Sequence, residues 1–135
     1  FWELLHNLQQ QKITILVSTP YMDEADLCDR VALIQEGSIL DIETPQRITE
    51  KFDGTLWSTR ATNMYKLLVD LSNQVEVKSC FPFGQVHHVT FMDNNQHVED
   101  IKNRLVSMGH TNIVFDKISA GIEDSFMELM GKEKK

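Results

Sequence analysis

The most constraining feature of the chain is residues 13–40, in which an apolar run, an acidic helix and a second apolar run follow one another without a break. Residues 13–17 are apolar apart from one threonine, which is typical of a strand covered on both faces, as in a parallel sheet. Thr19 and Pro20 suit the cap and the first position of a helix that we expect to end near Asp29. The segment therefore predicts a strand, a helix and a strand of an α/β domain.

The same kinds of pattern predict the elements on either side of this segment. They are a helix over residues 1–11, strands over 30–34 and 38–42 joined by a Glu36-Gly37 turn, and a helix from Thr44-Pro45 to about residue 52. The chain begins inside its first predicted helix, without a signal peptide, as we expect of a fragment.

Asp53-Gly54 is a turn pair at which the pattern changes, and we place a domain boundary there. The elements predicted after it begin with a strand (55–59) and a helix with Met64, Leu67, Leu68 and Leu71 on one face. Strands over 75–80 and 86–91 then surround a Phe81–Gly84 loop, and the next helix is capped by Asn94 or Asn95 and stopped by Gly109. A strand (112–115) and a last helix from Ile122 follow. The order β-α-β-β-α-β predicts a ferredoxin-like sandwich with an extra C-terminal helix. The fold class is therefore α/β (α+β), with residues 1–52 and 53–135 as two domains.

Composition excludes several classes of function. The chain has 135 residues and a net charge of −7, so it lacks the positive charge that a general nucleic-acid binder uses on phosphates. Cys28 and Cys80 are far apart and form no CxxC pair, which indicates reduced thiols rather than a zinc site or a disulfide scaffold. No apolar run approaches the roughly 20 residues that a membrane-spanning helix needs.

Residues 1–52 resemble a known family. Residues 19–25 read TPYMDEA, which is similar to the Thr-His-Tyr-Met-Asp-Glu-Ala that follows the catalytic core of ABC-transporter ATPases. The strand CDRVALI, the EGSIL turn and Thr44-Pro45 match the family's next elements at continuous spacing. Residues 122–126, IEDSF, resemble the Leu-Glu-Asp-Val-Phe that often closes drug- and polysaccharide-exporter ATPases. The resemblance thus implies the C-terminal end of a P-loop ATPase domain, followed by a small accessory domain.

Position 20 departs from the family's pattern. The resemblance implies a histidine there that contacts the γ-phosphate of ATP, whereas Pro20 has no side-chain donor and no backbone N–H. Either the intact parent has an altered hydrolysis site, or the substitution is tolerated; both interpretations stay open. The chain also has no GxxxxGK[ST] loop, LSGGQ signature or Walker B strand. We therefore predict no catalytic, cofactor-binding or metal-binding residue in this chain, and assign ATP and Mg²⁺ to the parent.

The resemblance implies a role in transport. The parent would be an ATPase that energises export, whereas this chain alone would be an accessory, regulatory or dimerisation module without ATPase activity. Expected partners are a transmembrane subunit and a second ATPase subunit, but no nucleic acid, at the cytoplasmic face of the cell membrane. Because residues 13–17 would be an inner strand whose neighbours are absent, we also expect the chain to self-associate through residues 1–52.

The predicted order of elements is also compatible with two other functions. Ferredoxin-like domains often bind small effectors, so a ligand-sensing regulatory domain is the alternative hypothesis, on fold analogy alone. RNA-recognition domains share the β-α-β-β-α-β order but stack bases on strand aromatics, and residues 86–91 offer a single Phe in an acidic half. RNA binding is therefore disfavoured.

Some side chains have both a functional and a structural interpretation. His87 and His88 could form a metal pair, but neighbours on a strand point to opposite faces, so we interpret them as surface histidines. Phe126, Met127 and Met130 could form a docking face, although packing onto the sheet of the small second domain is favoured. The remaining candidates are Trp2 and Trp57, for which we expect packing, and Asp23, Glu24 and Asp26, for which we expect a solvated helix start.

Overall fold

The computed structural model describes residues 1–95 and 97–133, with only the backbone of Glu133. Within these ranges the chain is a mixed α/β protein with six helices and two antiparallel sheets. The helices are α1 (Trp2–Gln10), α2 (Met22–Ala25), α3 (Pro45–Glu50), α4 (Met64–Ser72), α5 (Val98–Ser107) and α6 (Ile122–Glu133). The strands are β1 (Val31–Gln35), β2 (Ser38–Glu43), β3 (Leu56–Arg60), β4 (Val77–Phe83), β5 (Val86–Phe91) and β6 (Val114–Ile118).

The N-terminal part, residues 1–52, contains the smaller sheet. β1 and β2 form an antiparallel hairpin whose two-residue turn is Glu36-Gly37, both at positive φ (49° and 79°), which matches the twist of the flanking strands. Thr44 accepts a hydrogen bond from the N–H of Arg47 at 3.3 Å, and Pro45 occupies the first position of α3. These predicted elements are confirmed within one or two residues.

The strand predicted over residues 13–17 is absent from the N-terminal part. An apolar run becomes a strand only when another strand accepts and donates its hydrogen bonds, and the described residues pair none with it. Leu16 is 97% exposed as a result. The interpretation of Thr19 and Pro20 as the helix start is also wrong, because α2 begins at Met22 and ends at Ala25, well before Asp29.

The C-terminal part, residues 53–133, contains the four-stranded sheet in the order β4-β5-β3-β6, with every neighbouring pair antiparallel. Its elements follow the predicted order β-α-β-β-α-β, after which comes α6. α4 and α5 pack on one face of this sheet and form the main core. Its buried members are Leu67, Leu71, Val89, Phe91, Ile101, Leu105 and Ile113.

Three boundaries in the C-terminal part differ from those predicted. β4 continues through Phe81, Pro82 and Phe83, which were predicted as a loop; β4 is an edge strand, where a missing N–H is tolerated. α5 begins at Val98 with His97 as its N-cap residue, so neither Asn94 nor Asn95 is the cap. Asn94 instead accepts a hydrogen bond from Thr55 N–H. β6 covers Val114–Ile118 rather than residues 112–115, because residue 112 has a φ of 55° that does not fit a strand.

The last helix, α6, packs against the N-terminal part. Ile122 is 1% exposed and forms a second core with Ala25, Leu33 and Ile48, against which Phe126 also packs. We expected this helix to pack onto the sheet of the second domain, and this is wrong for its apolar side, which packs in the N-terminal core. None of the helices in the described part of the chain has the length and apolarity that a membrane crossing needs.

Candidate functional site

The segment around Pro20 lies at the surface, immediately before α2. The Thr19 hydroxyl accepts a hydrogen bond from Tyr21 N–H at 3.0 Å and donates one to the Glu24 carboxylate at 2.6 Å. These two bonds close a local turn, which explains why α2 starts two residues later than predicted. Pro20 itself is exposed and adds no hydrogen-bond donor to this turn. The side chains of this segment can therefore fix its shape, but position 20 cannot donate to a phosphate.

His87 and His88 point to opposite faces of β5, as the strand period predicts. His87 is 5% exposed and its Nε2 donates to the Met64 carbonyl at 2.7 Å, at the start of α4. His88 stacks on Phe83, with ring centroids 4.0 Å apart and an interplanar angle of 6°. Surface histidines were therefore a wrong interpretation, because both rings are packed. Within the described ranges, no group of three His, Cys, Asp or Glu residues is arranged to hold a metal ion.

The His88 ring joins the four-stranded sheet to α6. Its Nδ1 donates to Asp124 Oδ1 at 2.6 Å, and the two side chains are 16% and 6% exposed. The second carboxylate oxygen of Asp124 accepts the N–H of Gly121 at 2.9 Å, at the start of α6. Both oxygens are thus occupied, so the carboxylate caps the helix and holds the histidine at the same time. The two residues are 36 positions apart, and no sequence signal could have paired them.

A second polar network holds α4 against the loop before β6. Asp70 accepts from Lys66 Nζ at 2.8 Å and from His110 Nε2 at 2.7 Å, while Lys66 also donates to the Met108 carbonyl at 2.7 Å. The hydrogen bond from Lys66, followed by that from His110, holds the pKa of Asp70 below its ordinary value. The spacing of Lys66 and Asp70 on one helix could have indicated their pairing, but the buried His110 was not foreseen.

A groove that is open to solvent lies beside the main core. It has a volume of about 330 Å³ and is lined by Trp57, Phe115, His97, Val98, Glu99 and Lys102. Trp57 packs on the core, as predicted, and also forms part of this wall. Trp2 is half-buried and meets Phe1 edge to face, with 6.0 Å between ring centroids.

The two cysteines are free thiols. Burial raises the pKa of the Cys80 thiol to about 11. The pKa of Cys28 is also raised, first by desolvation and then by the neighbouring carboxylates of Asp29 and Glu24. Because the thiolate is the reactive form, neither residue is set up as a nucleophile.

The N-terminal part exposes an unusual number of large apolar side chains. They are Phe1, Leu4, Ile13, Leu16, Tyr21, Leu27, Ile34, Ile39 and Ile42. Its buried core holds only Ala25, Leu33 and Ile48, together with Ile122 of α6. The N-terminal part therefore combines a small buried core with a large number of exposed apolar side chains.

The sequence of the chain is similar to those of several known ATP-binding proteins. It is 27% identical to the Nod factor export ATP-binding protein I of Burkholderia lata, and 28% to that of Burkholderia pseudomallei, in alignments covering 98% of this chain and 41% of those proteins. It is 36% identical over 45 residues to the probable multidrug ABC transporter ATP-binding protein YbhF of Escherichia coli, which is 33% of this chain and 8% of that protein. The chain is related to the ATP-binding proteins of ABC transporters.

This relationship confirms the resemblance seen in the sequence. No family model matches the chain. The chain spans less than half the length of the curated relatives it matches. What those relatives bind or export is therefore evidence about them, and the roles of Pro20 and of the two parts of this chain stay predictions.

Proposed function

We propose that the chain is the C-terminal part of the ATP-binding subunit of an ABC transporter that exports its substrate. The observation that supports this most is the similarity to export ATP-binding proteins over 98% of the chain. The sequence carries no glycine-rich phosphate-binding loop, so ATP and Mg²⁺ would bind to parts of the parent outside this chain. By itself the chain would not hydrolyse ATP.

A nucleotide titration tests this proposal. Isothermal titration of Mg-ATP into the chain should give no binding heat, while the longer natural gene product that contains the chain should bind and hydrolyse ATP. Tight ATP binding by the chain alone would contradict the proposal. So would a natural gene product with no phosphate-binding loop before residue 1.

The proposal assigns different roles to the two parts. Residues 1–52 would be the end of the nucleotide-binding domain, and residues 53–135 a ferredoxin-like accessory domain. The strand order β4-β5-β3-β6, with α4 and α5 on one face, supports this second assignment. The accessory domain would regulate the parent or help it dimerise. The parent would sit at the cytoplasmic face of the membrane, bound to a transmembrane subunit and a second ATPase subunit.

The exposed apolar side chains of the N-terminal part support a further step of the proposal. In the parent this surface would be covered by the rest of the nucleotide-binding domain, and in the isolated chain a second copy would cover it. Light scattering at high concentration should then detect dimers or larger species. Leu16→Asp should reduce self-association, since Leu16 is 97% exposed, whereas the control Val75→Asp in the C-terminal part should not. A monomeric wild-type chain would refute this step.

Pro20 bears on how the parent hydrolyses ATP. We propose that its missing imidazole weakens hydrolysis, because position 20 has no group that could donate to a phosphate. Pro20→His in the longer parent should then raise ATP turnover, whereas Pro20→Ala, which removes the ring without adding a donor, should not. An unchanged rate in Pro20→His would favour the tolerated-substitution interpretation.

We propose a ligand-sensing domain as a second candidate, with the open groove beside the main core as the place where a ligand would bind. Its volume of about 330 Å³ is at the lower end of ligand sites, with Trp57 and Phe115 as apolar walls and Glu99 and Lys102 as charged groups. Zwitterionic amino acids with apolar side chains fit this chemistry. One of them should raise the melting temperature of the chain, and Lys102→Met should abolish the rise. No shift with any amino acid would remove this candidate.

A further inference from the structure

The C-terminal helix α6 contacts both parts of the chain. Its apolar side, with Ile122 and Phe126, packs in the core that contains Leu33 and Ile48 of the N-terminal part. Its polar side, through Asp124, is bonded to His88 of the four-stranded sheet. The Glu128 carboxylate also accepts the N–H of Asp53 at 3.3 Å, where the two parts meet. α6 therefore contacts both the four-stranded sheet and the N-terminal core.

The hydrogen bond between His88 and Asp124 has a fixed geometry. His88 is held by its stack on Phe83 and by the bond from its Nδ1, so the ring has little freedom. Asp124 is 6% exposed as a side chain, and water cannot readily replace the histidine as a donor. A movement of β5 relative to α6 would thus leave a nearly buried carboxylate oxygen without a partner. The sheet and the helix start should move together or separate at a measurable cost.

The apolar contact continues the connection towards position 20. Ile122, two residues before Asp124, is buried together with Ala25, the last residue of α2. Glu24, which precedes Ala25, accepts a hydrogen bond from the Thr19 hydroxyl, and this bond fixes the turn that contains Pro20. A continuous set of contacts therefore runs from the sheet through α6 to residues 19–25.

We infer that α6 couples the four-stranded sheet to the segment of residues 19–25, and that the His88–Asp124 pair is the contact through which the sheet acts on the helix. A ligand or partner that changes the position of β5 would then change α2 and the turn at Pro20, without touching either. The regulatory meaning rests on the proposed function, since residues 19–25 resemble the phosphate-sensing segment of the family. The coupling itself involves neither nucleotide nor a membrane partner.

A matched pair of variants tests the coupling by amide hydrogen exchange of the full chain. Asp124→Asn keeps the size of the side chain but replaces one acceptor oxygen by an amide donor, so the two wild-type hydrogen bonds from His88 Nδ1–H and Gly121 N–H cannot both remain. Arg104→Gln breaks the ion pair between Arg104 and Glu76, in the C-terminal part but away from α6. Asp124→Asn should accelerate exchange severalfold in peptides covering α2 and α3, while Arg104→Gln should leave these peptides unchanged.

Coupling is reciprocal, and this gives a second measurement that local damage at Asp124 would not reproduce. Ile48 is 1% exposed, and Ile48→Val removes one methylene from the N-terminal core. This change should perturb the imidazole nitrogen resonances of His88. If Asp124→Asn alters exchange only in β5 and α6, the inference is wrong. It is also wrong if Ile48→Val leaves the His88 resonances as they are in the wild type. Failure of ATP binding by the parent would leave both results interpretable.

Discussion

Replacement of Ile122 by alanine should destabilise the N-terminal part more than any exposed apolar substitution in it. Ile122 is 1% exposed and one of only four buried residues in that core. An Ile→Ala change at a buried site costs about 2–5 kcal/mol, the lost transfer free energy plus the cavity left behind. A whole domain of this size is stable by about 5–15 kcal/mol, so the loss is a large fraction of what the smaller core can supply.

Urea unfolding measures this loss. With a slope of about 1–3 kcal/mol per molar urea, the midpoint of the transition should fall by on the order of 1–2 M. Far-UV circular dichroism follows both parts, and Trp57 fluorescence, in a Trp2→Phe background, follows the main core on which Trp57 packs. The circular dichroism midpoint should fall further than the Trp57 midpoint, because Ile122 belongs to the other core.

The control is Ile39→Ala, which removes the same atoms from a side chain that is 58% exposed. It should shift the midpoint only slightly, since surface substitutions usually change stability by about 0.5 kcal/mol or less. Equal shifts for Ile122→Ala and Ile39→Ala would show that α6 does not complete the N-terminal core. The assignment of α6 to that core would then be refuted.

Three further predictions concern single side chains. Thr44→Ala removes the cap of α3 and should lower the unfolding free energy by about 0.5–2 kcal/mol, measured by urea titration with the exposed Thr14→Ala as control. The hydrogen bond from Lys66 lowers the pKa of Asp70, so its carboxylate stabilises the fold above its ordinary pKa and loses that contribution as the pH falls. Between about pH 7 and pH 3, the wild type should therefore lose more stability than Asp70→Asn. Because burial raises the pKa of Cys80 to about 11, its alkylation at about pH 8 should be slow in the folded chain and fast in urea, and equal rates would contradict its burial.

The elements that the sequence predicted well are those whose signals lie within a few residues. The Glu36-Gly37 turn supplies positive φ where the hairpin needs it, and Thr44-Pro45 supplies a cap and a rigid first residue for α3. The apolar spacing of α4 likewise predicted its buried side, with Leu67 and Leu71 fully buried. In each case the preference of the local sequence agrees with its tertiary environment.

The failures share a different cause, because each depends on residues far away in the chain. Residues 13–17 have the composition of a strand, but a strand needs a partner that the described residues do not provide. Pro82 punctuates the sequence like a loop, yet an edge position in the sheet accepts it. His87 and His88 are packed because of the Met64 carbonyl and Asp124, and no sequence signal assigns these partners to them. The predicted effect of Pro20 on ATP hydrolysis comes from the family resemblance, and the geometry of the turn does not test it.

The packing of α6 changes how the proposed boundary at residue 53 should be understood. The boundary separates the two sheets, but the N-terminal core takes Ile122 from the end of the chain, so it does not separate two independent cores. A core with so few buried residues gains a large share of its apolar contacts from this one helix. We therefore expect a change in how α6 packs on the sheet at His88 to alter the packing around Ala25 and Leu33. Such an arrangement can transmit regulation between the parts because the N-terminal core is incomplete without α6, and α6 is hydrogen-bonded to the four-stranded sheet.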